Sequence, residues 1–157
     1  MEENRGKSFA QITLYNKLIK EMDDLYRVYA KNCNLSETAF WILYCIRGRE
    51  EAFTQREICE YWFYTPQTVN SALKNMTEEG LLTLRAEEGN RKNKRIYLTE
   101  KGKETAERIV VPLMDAERRA LAPLGEQEEE VFLQTMKKHT ELFKEEITKL
   151  TEVAEPM

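Results

Sequence analysis

A chain of 157 residues with 33% charged, 41% hydrophobic and 10% aromatic residues has the length and balance of one compact domain with helical extensions. Its formal net charge of −4 excludes a protein that coats nucleic acid through a broad basic surface, but leaves room for one restricted basic patch. The opening "MEENRGKS" lacks an apolar core and the longest apolar run, "AFWILYCI" at 39–46, is too short for a bilayer, so neither a secretory signal nor a membrane span is expected and a cytoplasmic location is.

Residues 9–31 read as a helix. Ile12, Tyr15, Ile19, Met22, Tyr26 and Tyr29 recur at alternating steps of three and four, and Leu14, Leu18 and Leu25 widen the seam. So apolar a helix needs a partner, in the same chain or in a second copy. Asn34–Leu35–Ser36 breaks the pattern, and Ser36 is a good N-cap for a central, nearly all-apolar helix that runs to about Arg47 and stops at Gly48.

The next start is strongly signed. Thr54 and Glu57 have the spacing of a capping box, with Phe53 and Ile58 as the hydrophobic staple. This short helix ends in "YWFY", 61–64. Thr65 then caps a fourth helix with Pro66 at N1, where a missing N–H costs nothing. Val69, Ala72, Leu73 and Met76 make its buried face, and Gly80 ends it. Two short helices joined by a tight turn predict a helix-turn-helix. The outer face of the second carries Gln67, Asn70, Ser71, Lys74 and Asn75, with Thr68 in the first turn.

After Gly80, "LLTLRAE" and "RIYL" alternate apolar and polar residues around Gly89–Asn90. They predict a β-hairpin with Leu82, Leu84, Ile96 and Leu98 on one face. Four of the five residues 91–95 are basic, namely Arg91, Lys92, Lys94 and Arg95. Thr99 caps a long helix to about Leu121 that Pro112 is expected to bend or break. "APLG", 122–125, is a turn. The last helix, to about Leu150, is expected to bury Phe132, Met136, His139 or Thr140, Phe143, Ile147 and Leu150.

The expected architecture is therefore mainly α with a small β-hairpin wing, in a single compact domain. Residues 35–99 form the winged helix-turn-helix, and 1–34 with 100–157 supply helices for dimerisation. A helix of about 10–12 Å diameter fits the roughly 12 Å major groove of B-DNA. Gln67 and Asn70 suit paired bonds to adenine, while the hydroxyls of Thr65, Thr68 and Ser71 are permissive partners. Lys74 and Asn75 extend the same face. Arg91, Lys92, Lys94 and Arg95 would reach the neighbouring backbone or the minor groove, where arginine suits a narrow and strongly negative site.

"TPQTVNSALKNMTEEGLL" followed by "GNRKNKRIYLTEKG" resembles the MarR family of winged-helix transcriptional regulators. The ending formed by Arg91, Leu98, Thr99, Lys101 and Gly102 is the most specific match. The resemblance implies a homodimer on pseudo-palindromic double-stranded DNA, most simply a repressor, with one reading helix per half-site. It also implies release by a small phenolic or anionic effector, for which Tyr15, Trp41 and Tyr44 are candidate pocket residues. Asn90 departs from the acidic residue common before the wing arginine, and Ser71 from an arginine common on the reading helix.

Rival functions are weaker. No nucleophile elbow, phosphate-binding glycine loop or metal-spaced cluster is present, and His139 is the only histidine. Neither an enzyme nor a bound metal or cofactor is expected. A wing that binds protein has no need of four clustered cations. Cys33, Cys45 and Cys59 are odd in number and lack CxxC spacing, which argues against disulfides and zinc. Cys45 belongs to an apolar run, and Cys33, near Lys31, is the only candidate redox thiol. Peroxide-sensing relatives carry their cysteine in the first helix, where residues 9–31 have none.

Overall fold

The computed structural model describes residues 2–49, 52–87 and 90–153, with side chains placed for 9–49, 52–86 and 94–152. Along these residues run α1 (Glu2–Asn32), α2 (Glu37–Arg47), α3 (Gln55–Trp62), α4 (Pro66–Glu78), β1 (Leu82–Glu87), β2 (Asn90–Leu98), α5 (Glu100–Leu121), a 3-10 turn at Ala122–Leu124, and α6 (Gly125–Val153). The strands pair antiparallel as a two-stranded hairpin. The chain is thus mostly helical with one wing. Its contacts group into two compact units, 1–112 and 113–157, where length and composition suggest one.

Side chains set most of the helix starts. Ser36 Oγ accepts from the Ala39 N–H at 3.2 Å. Thr54 and Glu57 form the reciprocal capping box, with Glu57 accepting from the Thr54 N–H at 2.7 Å and Thr54 from the Glu57 N–H at 3.2 Å. Thr65 accepts from the Thr68 N–H, and Pro66 follows it at N1. Each such cap contributes roughly 0.5–2 kcal/mol, which matters most for α3, a helix of 8 residues.

The core of the first unit draws on every element in it. Phe40, Ile42 and Leu43 come from α2, Ile58 from α3, and Val69, Leu73 and Met76 from α4. Leu82, Ile96 and Val110 complete it from the wing and α5, and all ten are fully buried. Burying side chains of this size gains roughly 1.5–3 kcal/mol apiece. Between α3 and α4, Phe63 adopts a left-handed conformation at φ 56°, and the Gln55 side-chain amide donates to the Pro66 carbonyl at 3.0 Å, holding the two helices together.

The hairpin register has Leu82 opposite Leu98 and Leu84 opposite Ile96, which puts the apolar set on one face. Beyond them Ala86 faces Lys94, yet Glu87 faces Asn90, so residues 91–93 bulge from the returning strand. A bulge of this kind turns a segment away from its ladder. Gly89 lies outside the described residues.

Where α4 ends, three successive carbonyls are each taken up by the segment that opens α5. Lys101 Nζ donates to the Glu79 carbonyl at 2.6 Å, the Thr99 hydroxyl to the Gly80 carbonyl at 2.6 Å, and the Thr99 N–H to the Leu81 carbonyl at 3.1 Å. Gly80 turns the chain there at φ +70°. Thr99 also caps α5 by accepting from the Gly102 N–H at 3.0 Å. Gly102 lets α5 approach this closely, because a Cβ on it would lie 1.9 Å from the Leu81 carbonyl oxygen.

Of the bend or break expected at Pro112 the break does not occur, and one expectation about α6 changes. Helix α5 stays helical through Pro112, whose ring removes the hydrogen bond to one carbonyl without ending the helix. The α6 side chains predicted to be buried are exposed in the single chain, among them Phe132, Phe143, Ile147 and Leu150. Met136 is half-buried, while His139 and Thr140 are exposed. Only the end of α5 and the 3-10 turn share the second unit with α6, too little to cover a helix of 29 residues. The seam of α1 is likewise open at Ile12, Leu18, Met22 and Leu25.

Gly102→Ala should lower folding stability by about 2–3 kcal/mol, since the new methyl meets backbone rather than a movable side chain. Urea unfolding followed by circular dichroism reads this directly. An unchanged midpoint would mean that α5 does not approach Leu81 so closely.

Candidate nucleic-acid interface

Helix α4 buries Val69, Ala72, Leu73 and Met76, and leaves Gln67, Thr68, Asn70, Ser71, Lys74 and Asn75 exposed. The Thr65 and Thr68 hydroxyls lie 2.8 Å apart and bond each other at the helix start. Their first role is to hold the cap, and Thr65 itself is exposed. Lys74 lies 3.9 Å from Glu78 across exposed surface, a pair too weak to hold its ammonium. The face is a row of amides and hydroxyls with one cation.

The basic segment divides in two. Arg91 and Lys92 belong to the bulged part of β2, and their side chains lie outside the described residues. Lys94 is exposed. Arg95 turns back into the scaffold: its guanidinium donates to the Ala52 carbonyl at 2.8 Å, next to a strand-like bridge between Thr54 and Arg95. Arg85 stands directly opposite Arg95 in the sheet, where like charges repel. Its guanidinium goes the other way, over the Tyr97 ring at 4.8 Å.

Other cations are similarly engaged. A cleft of about 790 Å³ between the end of α2, the wing and α5 is lined by Arg47, Arg49, Arg85 and Lys103. Arg47 pairs with Glu107 at 2.8 Å, and Arg49 sits over Phe53. Among the described residues of α4 and the wing, Lys74 and Lys94 are the exposed cations held by no strong partner.

The three candidate pocket residues are not all brought together. Trp41 and Tyr44 are neighbours with ring centroids 5.3 Å apart. The α1 residue against Trp41 is Tyr26, at 4.8 Å. Tyr15 is half-buried eleven residues earlier, about 16 Å up the helix axis. Trp62, at 4.2 Å from Trp41, is the partner that sequence reasoning missed. The aromatic run "YWFY" at 61–64 was the available signal, but without a long-range contact it reads as a helix end.

Of the thiols, Cys45 is buried and accepts from the Trp62 indole N–H at 3.2 Å. Burial pushes both Cys45 and Cys59 up, away from the thiolate that a redox sensor needs. His139 stacks on Phe143 along α6, with ring centroids 6.1 Å apart. Among the described residues no cluster of His, Cys, Asp and Glu could hold a metal ion, and no helix is long and apolar enough to cross a membrane.

Comparison with known proteins bears on the same region. Residues 34–92 match the MarR family. A Bacillus subtilis (strain 168) protein described as the uncharacterized HTH-type transcriptional regulator YwoH is 29% identical over 122 residues, covering 73% of this chain and 88% of its own. A MarR family regulator from Neisseria meningitidis superposes with a TM-score of 0.77 at 22% identity, over 88% of this chain and 97% of that one. A regulator of the same family from Listeria monocytogenes, solved with a 26mer DNA, gives 0.70 at 20% identity over 93% and 97%. MepR of S. aureus, solved as a DNA complex, gives 0.68 at 19% identity over 83% and 96%. At these identities the solved structures are similar in fold.

The cap of α3 should leave a pH signature. The Thr54 N–H donating to Glu57 holds its carboxyl below the ordinary carboxylate range, against an opposing push from burial and with help from the Thr54 hydroxyl, Arg49 and Arg95. A folded-state pKa below the unfolded one gives stability that is present above the ordinary range and lost as pH falls through the depressed value. The stability gap between wild type and Glu57→Gln, measured by denaturant unfolding, should be wide at pH 7 and narrow as pH falls below the ordinary carboxylate range. A gap that stays constant across that range would contradict the bond.

Proposed function

We propose that the chain is a MarR family regulator, as the match of residues 34–92 supports, and that it is a homodimeric repressor that reads a pseudo-palindromic DNA site through α4 and the wing. The observation that carries this is the join between the two: a groove-sized helix presenting Gln67, Thr68, Asn70 and Ser71, clamped at its far end to a hairpin whose tip holds Arg91, Lys92 and Lys94. Uncharged amides and hydroxyls specify bases, while cations supply affinity through phosphate and narrow-groove contacts. Arg95 leaves the proposed contact set because its guanidinium serves the scaffold.

Double-stranded DNA as the partner is supported by the two relatives solved with DNA. The exposed apolar residues support the dimer. On α1 they include Ile12, Leu18, Met22 and Leu25, and on α6 Phe132, Phe143, Ile147 and Leu150. Runs of this extent on a chain of this size mark association surfaces. Two-fold pairing would present two reading helices to half-sites about one helical turn apart.

Selection from random duplexes supplies the site. Arg91→Ala should then weaken binding to every sequence and flatten the slope of log affinity against log salt by about one per protomer. Gln67→Ala and Asn70→Ala should instead change the preferred bases at one position per half-site, with the salt slope kept. An Arg91→Ala chain whose affinity and slope equal those of wild type would overturn the wing assignment.

A further inference from the structure

Phe63 is unfavourable in the isolated chain for two reasons. It adopts a left-handed conformation at φ 56°, where a bulky side chain is strained and glycine is not. Its ring is also 84% exposed, more than any other large apolar side chain among the described residues. Strain and exposure combined at one residue point to a use outside the fold.

The residue stands at the entering end of the reading helix. Phe63 closes α3, and Thr65, two residues on, is the N-cap of α4. Two residues span at most about 7 Å, so the ring lies beside the first turn of α4, where Gln67 and Thr68 face outward. The Gln55 amide on the Pro66 carbonyl ties the start of α3 to the same point. Tyr61 is exposed as well, but its ring lies 6.4 Å from Phe53 and 5.2 Å from Trp62. Arg56 and Glu60, the exposed charges of α3, pair with each other at 2.7 Å.

What such a ring can touch follows from the duplex. When α4 lies in a major groove about 12 Å wide, a side chain flanking its first turn meets the strand that walls the groove. That wall offers phosphate oxygens and, between them, the C–H faces of deoxyribose rings. A phenyl ring has no donor for a phosphate, but it loses water favourably against a sugar.

We propose that Phe63 packs on a deoxyribose of the strand bordering the groove and so sets how far α4 enters it. Phe63 is then a positioning residue, because a sugar contact carries no base identity. It differs from the wing cations in releasing no counterion. This contact rests on the proposed reading of DNA through α4.

Phe63→Asn and Phe63→Gly both remove the ring and suit the left-handed backbone. The urea midpoint of Phe63→Asn should equal or exceed that of wild type, while both variants bind the selected duplex at least about fivefold more weakly. Their salt slope and preferred bases should stay as in wild type. Hydroxyl-radical footprinting reads the contact itself, since the radical cleaves by taking hydrogen from deoxyribose. Wild type should shield one sugar per half-site that both variants leave open, with the rest of the footprint unchanged. Wild-type affinity and footprint in the two variants would overturn the contact and leave the ring to a protein partner. A lowered urea midpoint in Phe63→Asn would overturn it by making Phe63 a packing residue, and an altered salt slope would assign the loss to charge instead. A wild-type chain that binds no duplex would fail at the DNA reading itself, and the sugar contact would fall with it.

Discussion

Three carbonyls at the end of α4 govern the arrangement of the reading surface. The carbonyls of Glu79, Gly80 and Leu81, just past the last turn of α4, find their donors in Lys101 and Thr99, from the far side of the wing. The ammonium of Lys101 also lies where the helix dipole favours positive charge. The wing thereby leaves and returns at one fixed point, and its angle to α4 is set by bonds rather than by loop length. Gly102 is the steric condition for this, since α5 could not otherwise approach Leu81. The family-like ending Leu98, Thr99, Lys101 and Gly102 is thus a structural clamp, distinct from the side chains that face outward.

Positive charge is distributed accordingly. Arg47, Arg85 and Arg95 are drawn to Glu107, Tyr97 and the Ala52 carbonyl. Cations that hold the scaffold are poorly placed to grip phosphates, which leaves the bulged tip as the main basic feature of an acidic chain. The bulge at 91–93 breaks the ladder where that charge is concentrated. An overall net charge of −4 keeps nonspecific attraction to nucleic acid low.

Much of this was legible from local pattern. Ser36, the Thr54–Glu57 box and Thr65–Pro66 act over three or four residues, so spacing alone located them. The buried face of α4 and the apolar face of the hairpin follow from periods of 3.6 and 2. What escaped depends on distant partners. Arg95 reads as one of a basic cluster, and only its contact with Ala52, forty-three residues away, shows that it is structural. Trp62 joins Trp41 through tertiary packing, and Tyr26 takes the place expected for Tyr15. The seams of α1 and α6 were recognised as apolar, but periodicity identifies a face without saying what covers it. The left-handed Phe63 had no signal either, since glycine is the usual marker of that conformation.

If the clamp sets helix and wing for simultaneous engagement, both grooves of the duplex must be covered in a fixed spatial relation. Dimethyl sulfate footprinting reads this directly, because it methylates guanine in the major groove and adenine in the minor groove. On the selected site the account predicts two patches of guanine protection about one helical turn apart, each bordered by adenine protection at a constant offset. A single patch, or guanine protection with every adjoining adenine left reactive, would contradict it.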